Sequence, residues 1–435
     1  MNSTSIQTVN VQRSIYAVVL VMTTFLSISI ITGIMGPILP SLKNDFEVSH
    51  TVLAFFPFAL FIAYGVMSIP AGIMTEKFGE RRVMAIAFLI SALGSFIFVS
   101  LPSLTVALIS LFLIGSAMAL LQVVINPLLR VSGGEENYAF YSMLAQFVFA
   151  VGGMIAPQLY STTVQSLQRP LEPNLYMRAL NNIVPEAMPW LSMYWIFGII
   201  SLILLLVLFY IRLPTVERNE SEKVGGFKLC LKLFSNKTII LFFFGIMAYV
   251  GAEVGITTSM SLFLQIYHNL DPVTDGADAI TNFWQAMAAG CFVGLGLMKL
   301  FDSRKVLLIF TSAAIFSYLF ALFSVVNLSL LAYTFTGFFL SVMYPAIFSL
   351  GLNSLRQYHG SATGIFCTGI AGGALVPLII GMIADASGEY RIGALFVIFP
   401  LAYVLSIGLW AKPLIVNKTL SLNIRRRLKL YLYGH

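Results

Sequence analysis

From about residue 14 to residue 414 the chain alternates long apolar runs with short polar breaks. A helix rises 1.5 Å per residue, so about 20 apolar residues cross a hydrocarbon core of ~30 Å. Twelve runs reach that length. Six lie near 14–39, 51–74, 83–102, 104–129, 139–163 and 191–213, and six near 238–266, 280–300, 304–326, 328–353, 360–385 and 391–414. Neighbouring runs nearly touch at Pro102 and at Asn327. Only two polar insertions are long, 164–190 and 214–237, and the second falls between the sixth and seventh runs. The pattern predicts an all-α integral membrane protein of twelve transmembrane helices. A six-helix bundle is expected over 1–213, a linker over 214–237, a second bundle over 238–416 and a basic tail over 417–435.

The two halves repeat each other. FGERRV at 78–83 matches FDSRKV at 301–306, and GGMIAP at 152–157 matches GGALVP at 372–377. Gly115, which opens one apolar stretch, has its counterpart in Gly337. All three offsets lie near 220 residues in a chain of 435. Two pseudo-symmetric bundles with a site between them near the bilayer midplane are the construction of secondary transporters.

Composition narrows the classes. Hydrophobic residues make up 58% and charged residues 10%, against roughly half and a quarter in soluble domains. An ordinary soluble enzyme is excluded. With the N-terminus in the cytoplasm, 21 of the 25 lysines and arginines fall on the cytoplasmic side and 4 on the other. That asymmetry obeys the positive-inside rule and places both termini in the cytoplasm. It also accounts for the net charge of +7 without nucleic acid, since the basic loops face anionic headgroups of the lipid bilayer. The first apolar run, about 26 residues, exceeds a signal-peptide core of roughly 7–15 and reads as the first spanning helix of a cytoplasmic-membrane protein. Cys230, Cys291 and Cys367 are too few for a disulfide framework. No His/Cys set has metal spacing, and there is no nucleophile–base pair or phosphate loop, so no metal, no cofactor and no enzymatic activity are expected.

The break after the second run reads Gly72-Ile-Met-Thr-Glu76-Lys77-Phe-Gly79-Glu80-Arg81-Arg82. Glycine at 72 lets a neighbouring helix approach, and Gly79 suits a tight turn. Arg81 and Arg82 suit the carbonyl ends of adjacent helices, and Glu76 can cap or pair there. The segment resembles the signature of the major facilitator superfamily, with Glu76 in place of the usual Asp. The resemblance implies that Gly72, Glu76, Gly79, Arg81 and Arg82, with Asp302 and Arg304 of the second copy, serve the gate on the cytoplasmic side.

Three further segments resemble the fucose–proton symporter family of sugar permeases. They are Gln122-Val-Val-Ile-Asn126-Pro127, Tyr249-Val-Gly-Ala-Glu253-Val and Tyr344-Pro345-Ala-Ile-Phe-Ser-Leu-Gly. Each proline removes one backbone donor and frees a carbonyl, and such interruptions survive in a membrane only beside protein or a wet cavity. Gln122, Asn126 and Gln146 carry amides, which donate and accept and so suit sugar hydroxyls; buried amides also join helices to one another. Tyr344 can stack on a sugar face. In the family, the positions of Gln146 and Tyr344 are implicated in sugar binding. Trp284 and Gln285, beside Asn282 in the eighth run, are further substrate-binding candidates, although a tryptophan also marks membrane interfaces. Glu253 is the one carboxylate deep inside an apolar run. A charge there costs at least ~2.5–3.5 kcal/mol, which makes it the coupling candidate.

The chain departs from that family at positions attributed to proton coupling. Aligned on Pro40, the first-helix Asp is Gly36, and the fourth-helix Glu is Gln122. A fifth-helix Asn is Phe149. The expectation is therefore a secondary active transporter, a monomer, moving a sugar or similar small polar solute by alternating access, coupled to protons or sodium. An uncoupled facilitator is a variant of the same idea. The alternative is efflux of lipophilic compounds. Antiporters of that kind usually carry Gly-Pro-x-x-Gly-Gly in the fifth helix, whereas here Gly152-Gly153 precede Pro157.

Overall fold

A computed structural model describes residues 14–133, 138–168, 180, 182–214, 226–355 and 359–414. The two termini and most of the linker lie outside the described residues. Twelve helices are long and apolar enough to cross a membrane. They are α1 Ile15–Phe46, α2 His50–Phe78, α3 Glu80–Ser100, α4 Leu104–Ile125, α5 Leu144–Gln168, α6 Pro189–Tyr210, α7 Lys237–His268, α8 Asp275–Met298, α9 Ser303–Phe323, α10 Val326–Asn353, α11 Ser361–Ser387 and α12 Tyr390–Trp410. Each matches a run read from the sequence to within a few residues, except that α1, α5 and α8 extend further at the end away from the basic loops. Asn327 lies inside α10, because the preceding helix already stops at Phe323. A short helix, Gly226–Leu233, precedes α7 in the linker.

Packing repeats along with sequence. In the first half α4 lies on α2 and α3, α3 on α6 and α1 on α5; in the second, α10 lies on α8 and α9, α9 on α12 and α7 on α11. Glycines make close approaches possible at several of these contacts. A Cβ on Gly115 would fall onto the backbone of Leu60, and one on Gly337 onto the backbone of Phe283. One on Gly152 would meet Leu26 and Ser29, and one on Gly372 the backbone of Met247. The halves meet through α2 against α11 and α5 against α8. Here too the contact is duplicated but crossed: Gly153 of α5 lies on the ring of Trp284 in α8, and Gly373 of α11 on the ring of Phe61 in α2.

The basic loops brace each half internally. Gly79 adopts φ +80°, a left-handed conformation that favours glycine, and turns α2 into α3. Arg81 donates to the Phe209 carbonyl near the end of α6 at 2.7 Å. Its counterpart Arg304 donates to the Ala411 carbonyl just past α12 at 3.4 Å, and pairs with Asp302 at 2.6 Å. Asp302 also caps α9 by accepting from the Arg304 backbone N–H at 2.9 Å. The hydrogen bonds from Arg304, first among its causes, hold the Asp302 carboxyl below the usual carboxylate range. These contacts of Arg81 and Arg304 lie within their own halves, each arginine satisfying a helix-end carbonyl. Gly72 is buried near the end of α2, and Glu76 and Arg82 are exposed beyond it.

At the opposite end the halves close on each other. The outer segment of α1, Met35–Phe46, packs on α7. Gly36 approaches so near that a Cβ would meet the Thr257 carbonyl and Ile280. Among the described residues no comparable contact joins α4 to α10.

Candidate functional site between the halves

Between Tyr249 and Leu264 every residue of α7 is buried except Glu253. Neighbours on all sides of the helix are covered by protein, so the surface left at Glu253 faces a space inside the molecule and not lipid. Tyr249, one turn earlier, is its side-chain hydrogen-bond partner. The Tyr249 ring lies 5.9 Å from that of Tyr344 in α10, which stacks on Phe348 at 5.8 Å.

A break in α10 positions Tyr344. The helix stops at Leu340 and restarts at Met343. Pro345 has no N–H for the Ser341 carbonyl four residues earlier. That carbonyl accepts from Cys291 Sγ of α8 at 3.8 Å. Cys291 in turn lies within electrostatic reach of Glu253. Three helices therefore converge on one carboxyl group. In the first half the counterpart Asn126-Pro127 leaves no such break, and the helix runs on to Gly133. The Asn126 side chain lies outside the described residues.

A second group joins α5 to α8. Trp284 is 5% exposed, rests against Gly153 and meets Phe149 edge-on at 6.2 Å. Its indole N–H is buried without a hydrogen-bond partner among the described residues. The crossed counterpart, Phe61, fills the same packing role with no polar atom, so packing alone does not require the indole nitrogen. Gln146 stands one turn before Phe149 and two before Gly153, on the face that meets α8. The Phe149 carbonyl accepts from Ser29 of α1. Gln122 is half-buried on α4. Gln285 and Asn282 are exposed, and Gln285 shares a helix face with exposed Phe292. The structure thus gathers Tyr249, Glu253, Tyr344 and Cys291 in one group and Gln146, Phe149 and Trp284 in another, and sets Gln285 apart.

The closed end holds polar residues that sequence reasoning did not single out. Gln158 of α5 donates to Asp278 at 2.6 Å and to Thr281 at 3.2 Å, both in α8. Asp385 of α11 accepts from the backbone of α2. Near the end of an apolar run such residues look like ordinary interfacial groups, and only their partners across the halves distinguish them.

Residues 20–376 match the family model described as Major Facilitator Superfamily. The chain belongs to that superfamily. It is 28% identical over 391 residues to a glucose/galactose transporter of Brucella abortus, covering 87% of this chain and 90% of the relative. It is 26% identical over 372 residues to the L-fucose-proton symporter of Escherichia coli, covering 81% and 83%. The crystal structure of an E. coli fucose:proton symporter variant superposes with a TM-score of 0.66 at 23% identity, covering 92% of this chain and 99% of that one. This last likeness is one of fold. The relatives are transporters, and the chain is a multi-pass transporter of this superfamily and not an enzyme.

At Gly36, the position read as the sugar permeases' first-helix Asp, the Thr257 carbonyl occupies the space of any side chain. The acid there is replaced by a close helix contact.

Proposed function

We propose that the protein carries a hexose or closely related sugar across the cytoplasmic membrane by alternating access. Glu253 takes up and releases the coupling proton, and both termini are cytoplasmic. The observation that carries this reading is Glu253 itself, the one uncovered residue in an otherwise buried stretch of α7, held by Tyr249 beside Tyr344. Hydroxyl, carboxyl and ring faces in one place suit a solute that presents many hydroxyls on a flat apolar face. The names of the relatives point to the same solute class. With the basic loops in the cytoplasm, the closed end faces outward, and the described conformation is inward-facing. The protein works as a monomer in the lipid bilayer.

The test is uptake into vesicles by the purified, reconstituted protein. D-glucose, D-galactose and L-fucose are offered with an imposed proton gradient, a sodium gradient or neither. Accumulation of at least one hexose, driven by the proton gradient, is expected. Accumulation driven by sodium alone would move the coupling to another ion, and transport of no hexose would overturn the reading.

Trp284 provides a finer check. Trp284→Phe keeps the ring that Gly153 rests on, as Phe61 does in the crossed contact, and removes only the indole N–H. If that N–H serves the sugar, KM rises about tenfold with protein abundance unchanged, as loss of one buried hydrogen bond predicts. An unaltered KM would leave Trp284 a packing residue.

A further inference from the structure

The closed end joins the halves with unequal devices, although their helices repeat. At the start of α8 the entry turn is satisfied by its own loop: Asp271 Oδ1 accepts from the backbone N–H groups of Val273 and Thr274, each at 2.8 Å. At the start of α2 the N-cap Ser49 accepts from the Val52 N–H at 3.3 Å, and the two donors before it are taken by a carboxylate from the other half. The backbone N–H of His50 donates to Asp385 Oδ1 at 3.0 Å, and that of Thr51 donates to Asp385 Oδ2 at 2.7 Å. Asp385 lies near the last turn of α11, and the first-half position 220 residues earlier is Gln165, which bonds within its own helix to Ser161 at 2.8 Å. One turn before Asp385, Gly381 brings α11 so close that a Cβ would meet the His50 carbonyl. Lys43 of α1 completes the cluster, with Nζ 3.1 Å from His50 Nε2.

An uncapped helix start leaves backbone donors unsatisfied, and a carboxylate there also meets the positive end of the helix dipole. Asp385 can supply both only while α11 and α2 touch at this end. We propose that Asp385 is the latch of the outer gate, capping α2 from the opposite half in the closed state and releasing it when the gate opens. The inference rests on the alternating-access reading above and adds the residue that sets its conformational balance. Asp385 makes no claim on the sugar; it is a positioning residue. Its effect passes through the ends of α2 and α11.

Thr258 lies beneath this cluster, 4% exposed, lining a small void with Leu53 and Pro377. Thr258→Cys, in a chain whose Cys230, Cys291 and Cys367 are changed to Ser, reports on opening. The purified protein is reconstituted without sugar, and a membrane-impermeant maleimide is added at the outer face. Asp385→Ala should speed labelling about fivefold, the factor expected for loss of one helix cap. The apparent affinity for D-glucose at that face should tighten by a similar factor, because the outward-open fraction rises. Simple damage to the fold would not tighten binding from one side. Should Asp385→Ala fail to fold, Ser49→Asp in the same variant replaces the native hydroxyl cap, which accepts from the Val52 N–H at 3.3 Å, with a carboxylate from α2's own half. That double variant should recover stability while labelling stays fast. A labelling rate within about twofold of the parent in the folded variant would overturn the latch. Labelling needs no transported solute, so absence of hexose transport counts against the transport reading alone.

Discussion

Glu253→Gln loses proton-driven accumulation of the hexose while downhill exchange of the same sugar continues. Glutamine keeps the shape of the side chain and can still bond to Tyr249, but it cannot take up or release a proton. Coupling between two ligands typically amounts to 1–3 kcal/mol, about 5–150-fold, and the accumulation ratio should fall within that range. Vesicle uptake with and without the proton gradient measures the ratio, and counterflow of labelled against unlabelled sugar measures the exchange. The pairing of results is diagnostic. Loss of both activities would mean that Glu253 holds the fold or the sugar, and loss of neither would remove it from coupling. The same substitution tests whether the family's missing acids at Gly36 and Gln122 have been replaced by this one carboxyl.

Gly115→Val and Gly337→Val each remove most folded protein. At these positions a Cβ falls onto the backbone of the facing helix, Leu60 in one half and Phe283 in the other, and backbone cannot swing aside as a side chain can. The helices α4 and α2, or α10 and α8, must separate along their length. Overpacking in a well-packed core costs typically 1–3 kcal/mol and more where the structure cannot yield, which here exceeds what a single contact contributes. Membrane yield and the monodisperse fraction after detergent extraction are the measurements. Gly296→Ala, where an added Cβ meets nothing within 4 Å, is the matched control and should express as the parent does. Equal yields for the two valine variants and the control would show that the close approach is not required.

The glycines show how much of the fold could be read in advance. The pairs Gly115/Gly337 and Gly152/Gly372 stand out as repeats in the chain, and each proves to be a place where an added Cβ would collide with the facing helix. Twelve spans were legible for a related reason: in lipid a backbone must satisfy its own hydrogen bonds, so a long apolar run has few alternatives to a helix. Glu253 was legible because a carboxyl inside such a run is costly and therefore conspicuous. Tyr344 was marked by the proline that follows it, although the break falls at Ser341–Val342, one turn before Pro345. Trp284 and Gln285 are neighbours in sequence and looked alike as candidates. One helical step of about 100° separates them, and it places the first against Gly153 and leaves the second exposed.

What lies across the halves was not legible. Asp385 and His50 are 335 residues apart, and Gln158 and Asp278 are 120 apart. Each reads alone as a polar group near a helix end, because a capping partner on another element leaves no local pattern. The gating role expected for Arg81 and Arg304 shows the same limit. Their sequence context marks a loop with a fixed charge, while the carbonyls they reach, Phe209 and Ala411, belong to helices far along the chain.

The sequence by itself therefore determined the class of protein, its twelve spans, its duplication and the one carboxyl that the membrane makes expensive, since these follow from local hydropathy and repetition. The tertiary structure alone decided which end of the bundle is shut, which tyrosines surround Glu253, why no side chain fits at Gly36 and which half supplies a carboxylate to the start of α2. Those are matters of distance between residues remote in the chain, and a hydrogen bond or a close helix approach forms over a few ångströms that no spacing in sequence records.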